Sequence, residues 1–303
     1  MKKSTLLFIL IHFIFNQVNG QTLTDQFYKL MSEKDTVGQI RLLEKWESTN
    51  SEDPELYIAY YNYYVNKSKR EIITLGQNPK GKDVLQIMDQ DKTKKEPVGY
   101  IYGDTSFDPE FLNKGFTWLN RGIAKFPNRL DMRFGKIYMF GVIGDYENFT
   151  KEIITTIDYS ETNKNAWTWS YSQPLENPKE SMLRSIQDYQ IQLYNTEDDS
   201  LLENMKRIAE AILKYYPNHI ESLTNISIVY LIKKQYDKAL EFLISAEKIN
   251  PKDTIVLNNI AQAYKLKGDF KNSIKYYELI IIYGDDQNKQ FAQEQIIQLR
   301  QKK

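Results

Sequence analysis

The sequence predicts an all-α fold of stacked helical hairpins, with one small β-hairpin inserted in its N-terminal half. Three observations point there. Near the C-terminus, matching residues recur 34 positions apart: Pro217 and Pro251, Leu223 and Leu257, Tyr230 and Tyr264, Tyr236 and Phe270. A period of that length describes a two-helix unit that buries its apolar face only by stacking on the next unit. Within each period the apolar residues fall at helical spacing. Glycine and proline, which interrupt helices, gather instead at Gly76, Pro79, Gly81 and Pro97.

The chain opens with Lys2 and Lys3, an apolar run from Leu6 to Phe15, and then Val18-Asn19-Gly20. That is the layout of a secretory signal, expected over residues 1–20 with cleavage after Gly20. The run falls short of the roughly 20 residues that span a bilayer as a helix. There is no cysteine, so neither a disulfide nor a thiol-linked lipid anchor can form, and stability must come from packed apolar surface. Without Lys2 and Lys3, 38 basic side chains face 40 acidic ones. Such a balance argues against a nucleic-acid partner, and against a polybasic membrane patch. No later segment is apolar enough over enough length to cross a membrane. The expected location is the periplasm or the medium of a bacterium, with no membrane insertion once the signal is removed. The bacterial part rests on a composition rich in Asn, Lys, Ile and Tyr.

In order along the chain, residues 21–69 form an N-terminal helical region, with helical spacing over Gly38–Thr49 and Leu56–Val65. In the second of these, Tyr57, Tyr60 and Tyr64 share an inward stripe, while Tyr61 points toward solvent or a partner. Residues 70–107 are the irregular insertion. Val84–Met88 and Val98–Tyr102 read as strands joined into a hairpin across Asp91–Glu96. Asp89-Gln90-Asp91 begins like a calcium loop, but Lys94 stands where glycine is required and Tyr100 where a carboxylate is required. Residues 108–160 hold diverged helices, in which Gly115, Leu119 and Gly122 precede Pro127 as Ala239, Leu243 and Ala246 precede Pro251. Residues 161–178 form a loop in which one of Trp167 and Trp169 packs and the other is exposed. A further repeat covers 179–219, where Glu197-Asp198-Asp199 suits the start of a helix. The clearest repeats are 220–253 and 254–286. Pro251 ends the helix before it, and Gly268-Asp269 makes the later turn. Residues 287–303 form a terminal helix with Phe291, Ile296 and Leu299 inward, as a solenoid cap requires.

Leu223, Ile226, Ser227, Tyr230, Tyr236, Ala239, Leu243, Ala246 and Pro251 together resemble the tetratricopeptide repeat. That family favours, in order, a bulky residue, leucine, a small residue, tyrosine, an aromatic after the turn, alanine, an aromatic, alanine and proline. Leucine replaces the usual tryptophan at 223 and the usual aromatic at 243. The likeness runs over 179–285. It implies a right-handed solenoid whose first helices line a concave surface, and a role in holding other proteins.

Little material for chemistry is present. Beyond His12 the only histidine is His219, expected at an exposed turn between repeats, so Ser-His, Cys-His and histidine-rich zinc sites lack their residues. No glycine loop follows a strand to cradle phosphate, and no spacing nominates a carboxylate pair. No enzyme activity, cofactor or metal site is expected. The expected partner surface is the non-core side of the first helices: Thr224, Asn225, Ile228 and Leu231, then Asn258, Asn259, Gln262 and Lys265. Its amides and apolar strip suit an extended peptide, unless another helix or a second copy covers this face. Members of the family that clamp a C-terminal carboxylate use several basic residues here, and Lys265 stands alone. The leading reading is an exported, non-catalytic scaffold or adaptor for a protein or peptide in the cell envelope. Two alternatives stand beside it. One is a glycan-binding or hydrolytic protein with its site at 70–107 and Trp167/Trp169. The other is a self-associating protomer of an envelope assembly.

Overall fold

Aspartate followed by a helix-forming run recurs along this chain, and it starts helices. A computed structural model describes residues 23–301 other than 78, 80–82 and 92; the expected signal at 1–20 lies outside them. Among the described residues, seven helices open on an aspartate whose carboxylate accepts a first-turn N–H: Asp35, Asp53, Asp108, Asp145, Asp253, Asp269 and Asp285. Each such cap contributes about 1 kcal/mol. At Asp53-Pro54 and Asp108-Pro109 the proline takes an early position that has no hydrogen bond to lose. No helix among the described residues is long and apolar enough to cross a membrane.

The chain divides into two units: Met1–Ile143 with Thr168–Pro174, and Gly144–Trp167 with Leu175–Lys303. The first holds α1 (residues 23–32), α2 (Thr36–Thr49), α3 (Pro54–Ser68), α4 (Pro109–Lys125) and α5 (Leu130–Val142). Helices α3 and α4 pack on each other as a hairpin, although 40 residues separate them in sequence. The intervening segment is a three-stranded antiparallel sheet, β1 (Lys69–Gly76), β2 (Val84–Met88) and β3 (Pro97–Phe107), in the order β1-β3-β2. The expected β2–β3 hairpin is present. Strand β1 went unread because Ile72-Ile73-Thr74 lacks the alternation that marks a half-buried strand. Its β-branched residues were the available signal. The Asp108 N–H donates to the Ser68 carbonyl at 2.7 Å, so the sheet leaves and re-enters the hairpin at one point.

Tyrosine and glycine exchange roles in this hairpin. Tyr57, Tyr60 and Tyr61 are all buried, and the Tyr61 hydroxyl donates to the Gly135 carbonyl at 3.0 Å. The expectation that Tyr61 faces solvent is thus corrected: α3 is covered from more than one side, so its inward surface is wider than one stripe. Room for these rings comes from Gly115 and Gly122 on α4. A Cβ at Gly122 would lie 2.8 Å from Tyr57 Cβ and 3.1 Å from Met132 Sδ. Trp118 then stacks on Tyr60 with ring centroids 3.7 Å apart.

The second unit holds α6 (Tyr146–Thr162), α7 (Pro178–Tyr194), α8 (Leu202–Tyr215), α9 (Ile220–Ile232), α10 (Tyr236–Ile249), α11 (Thr254–Lys267), α12 (Phe270–Tyr283) and α13 (Asp286–Arg300). From α7 onward each helix packs on the next, and α6 packs on α8. One inward triplet at i, i+4 and i+7 recurs: Phe149, Ile153 and Thr156 on α6; Met205, Ala209 and Ile212 on α8; Ala239, Leu243 and Ala246 on α10; Ser273, Tyr277 and Ile280 on α12. All are buried. The same spacing buries Gln39, Leu43 and Trp46 on α2, and Gly115, Leu119 and Gly122 on α4, in the first unit. Small and large residues alternate between helices at these places, which keeps the layers close while filling them. Gly268 ends α11 at φ +86°, a conformation glycine adopts without strain. In α13, Ile296 and Leu299 are buried as expected. Phe291 is 40% exposed, edge-on to Tyr277, and Ala292 takes the inward place.

Between α6 and α7 the expected loop contains a short pairing, β4 (Thr168–Trp169) with β5 (Gln173–Pro174). This piece belongs to the first unit.

Candidate functional site

The first helices of the C-terminal repeats are where a partner surface was expected, and α9 departs from that expectation. Thr224 and Asn225 are buried, as are Ser222 through Ser227 without a break, and Val229. Helix α9 packs on α8, α10 and α11, and Asn225 reaches α7, where its Nδ2 donates to Gln187 Oε1 at 2.8 Å. A helix covered on so many sides is apolar nearly all round. The expectation of Thr224 and Asn225 as open groove residues is therefore corrected. Ile228 and Leu231 remain half-buried. So do Asn258, Asn259, Gln262 and Lys265 on α11.

Of these, Lys265 is tied to the terminal helix through Nζ donating to Gln295 Oε1 at 2.8 Å. Asn258 differs: its Oδ1 is buried with no hydrogen-bond partner. An unmet buried amide oxygen is a standing energetic penalty of about 1–3 kcal/mol, removed when a donor arrives.

A cleft of about 590 Å³ adjoins the Gln187–Asn225 pair. Its walls are Lys179, Glu180, Leu183, Arg184 and Gln187 from α7, with Tyr216–His219 and Glu221 from the turn into α9. Leucine and proline give it an apolar floor, and the charges on its rim balance in sign. None of Arg184, Gln187 and Asn218 stood out in the sequence, because the cleft exists only once α7 is docked. A second cleft of about 490 Å³ sits at the other end of α7, between Leu193, Met205 and Ile232. There Asp198 accepts the Ser200 N–H at 2.9 Å, so this acid caps a helical turn as expected.

His219 is not the exposed turn residue expected. It is the N-cap of α9: Nδ1 accepts the Ser222 N–H at 3.3 Å and lies 2.8 Å from Ser222 Oγ. Its Nε2 is 3.4 Å from Glu221 Oε2. Burial pushes the imidazole below its ordinary value of 6.5, against a smaller opposing pull from Glu221.

The densest buried charge lies in the first unit. Arg129, 1% exposed, has Nη1 2.7 Å from Glu55 Oε1 and Nη2 2.7 Å from Asp131 Oδ2. Glu55 Oε1 also accepts the Tyr171 N–H at 2.7 Å. Nearby, Asp53 caps α3 and takes the Trp46 indole N–H at 3.1 Å. Burial raises the Asp53 carboxyl above its ordinary range, while its hydrogen bonds and Arg129 act in the opposite sense. Glu55 holds α3 to the 129–131 turn and the 168–174 segment, Asp131 pairs with Arg129 within that turn, and Asp53 ties the start of α3 to Trp46 of α2. Trp167 is 1% exposed and packs near Tyr159, whereas Trp169 is 40% exposed beside Phe134. One indole packs and the other is exposed, as expected, so the pair does not present two open faces to a sugar. Among the described residues no group of three or more His, Cys, Asp or Glu side chains is placed to hold a metal ion.

The model of the tetratricopeptide repeat matches residues 220–253 and 255–281. These two stretches are tetratricopeptide repeats. No curated protein matches the sequence. Among solved structures, the chain is similar to TTC0263, a thermophilic tetratricopeptide protein of Thermus thermophilus. Identity is 13%, coverage is 61% of this chain and 90% of that one, and the TM-score is 0.38. It is also similar to YrrB, a tetratricopeptide protein described as having an unusual peptide-binding site, at 10% identity, 83% and 97% coverage and a TM-score of 0.40. A Podospora anserina putative kinesin light chain repeat structure aligns at 14% identity, 58% and 87% coverage and a TM-score of 0.38. The repeat geometry and the family match carry the assignment. Solenoids of this kind are scaffolds for protein–protein interaction.

Proposed function

We propose that the protein is an exported, non-catalytic adaptor of a bacterial envelope, which holds an extended segment of another protein against the first helices of its second unit. The segment enters the cleft between Arg184, Gln187 and Asn218, passes Ile228 and Leu231, and runs along α11 beside Asn259, Gln262 and Lys265. The observation that carries this reading is the run of half-buried side chains Ile228, Leu231, Asn259 and Gln262 on the first helices, whose amides suit the backbone of a bound strand-like peptide. The half-buried aliphatics among them offer area without exposing a large apolar patch. The basic leader and short apolar run of residues 1–20 motivate the location.

The test is cross-linked recovery from the native envelope. The wild-type chain is compared with an Arg184→Ala/Asn258→Ala variant whose circular dichroism and melting match it. Loss of one specific partner in the variant is expected. Equal recovery by both proteins sinks the groove as the binding site. Retention of the intact N-terminus on the protein isolated from cells would sink the export reading on its own.

A further inference from the structure

The sheet inserted between α3 and α4 has no part in that reading. Strand pairing sets Leu75, Ile101 and Leu85 directly opposite one another, across all three strands. They are 70%, 37% and 71% exposed, and Ile73, next along the same face, is 81% exposed. Gly103 pairs with Ile73 and Gly99 with Ile87, so the centre of the face carries no charged side chain and only a low floor between the aliphatic ones. The opposite face differs. Its middle row is Thr74, Tyr102 and Val84, all half-buried, and Ile72, 41% exposed, lies opposite the acid Asp104 there. A sheet whose more exposed face is apolar can form half of a sandwich, and sheets stack face to face at about 10 Å.

We propose that this face pairs with the same face of a second copy of the chain. The arrangement is self-complementary. The central Ile101 is flanked by leucines of nearly equal exposure, so a two-fold axis through it sets Leu75 of one copy on Leu85 of the other, twice, and Ile101 on its own counterpart. Isologous contacts need that symmetry. The area also suffices: these four aliphatic side chains expose on the order of 500 Å² per copy, and two copies together reach about 1,000 Å², the lower bound for a specific interface. A set of scattered surface aliphatics would not line up in one row across three strands.

The test is sedimentation equilibrium of the full chain over a range of micromolar concentrations, alongside a Leu75→Lys/Leu85→Lys variant. Both leucines are exposed, so the variant keeps the helix content and melting temperature of the wild type, which circular dichroism checks. The expected result is a concentration-dependent dimer for the wild type. The variant is expected to be a monomer, with dissociation at least about 100-fold easier. A wild-type chain that stays monomeric, or a variant that dimerises as well as the wild type, overturns the proposal. A monomer that co-floats with phosphatidylcholine vesicles, and loses this with the lysines, assigns the face to lipid instead.

Discussion

His219 shows how one side chain can tie acidity to the fold. As N-cap its Nδ1 must accept a hydrogen bond, which only the neutral ring can do. Protonation turns that acceptor into a donor and places a positive charge at a helix N-terminus, where the backbone dipole already disfavours it. Burial lowers the folded-state pKa below 6.5, so on acidification the unfolded chain takes up the proton first. Stability is therefore full above pH 6.5 and falls as pH drops from there toward the folded value. A urea midpoint measured against pH is expected to decline over that window, by an amount on the order of 1 kcal/mol for the weakened cap. His219→Asn keeps a capping acceptor that does not titrate, and its curve is expected to be flatter. Identical slopes would show that other groups govern the response. The sequence exposed this residue as the sole imidazole of the expected mature chain, but not its burial. Burial depends on α7, Tyr216 and Glu221 meeting around it.

At the scale of elements, the α3–α4 hairpin shows that close approach can be bought by either partner. In the C-terminal repeats the first helix is small at Ser227 and Ala261. On α3 the equivalent position is Tyr61, and the compensating loss of volume is at Gly115 and Gly122. Gly122→Ala would gain about 1 kcal/mol of helix propensity. It would also drive a Cβ to 2.8 Å from the Tyr57 Cβ, which cannot swing away. Overpacking of that kind costs about 1–3 kcal/mol, so net destabilisation is expected. At Gly135 on α5 the nearest atom to a new Cβ is Tyr61 Cε1 at 3.9 Å, and Gly135→Ala is expected to stabilise by about 0.5–1 kcal/mol. Thermal melts of the two variants should move in opposite directions, and equal shifts would refute the packing account. Gly115, Leu119 and Gly122 were legible in sequence as an inward triplet through their distance from Pro127. Their tyrosine partners were legible only as a stripe, because spacing along α3 cannot say how many neighbours the helix has.

Over the whole molecule, stability in a repeat array passes from neighbour to neighbour. In the second unit α13 closes the end: Ala292, Ile296 and Leu299 join the core that holds Leu257, Ile260, Tyr277 and Ile280. Deleting residues 286–303 uncovers that core and removes the Lys265–Gln295 bond. Local stability is expected to fall by at least about 3 kcal/mol. Amide exchange should quicken first in α11 and α12, with α7 and α8 changing least. A uniform loss of protection through the unit would mean that its repeats melt together and do not act as a linear array.

The C-terminal repeats, their helix ends and the inward triplets of α4 and α10 follow from sequence alone, because helical period, aspartate caps and proline stops act within a few residues of themselves. The β2–β3 hairpin of the insertion was also legible, since glycine, proline and turn residues are local signals, whereas β1, with no alternation, was not. What tertiary structure decided was which surfaces stay open. Asn225 is buried because α7 crosses it, His219 is half-buried because it lines the cleft beside α7, and Leu75, Ile101 and Leu85 stand exposed because strand order sets them in one row. Exposure is a property of neighbours far apart in the chain, and no period within one helix or strand encodes it.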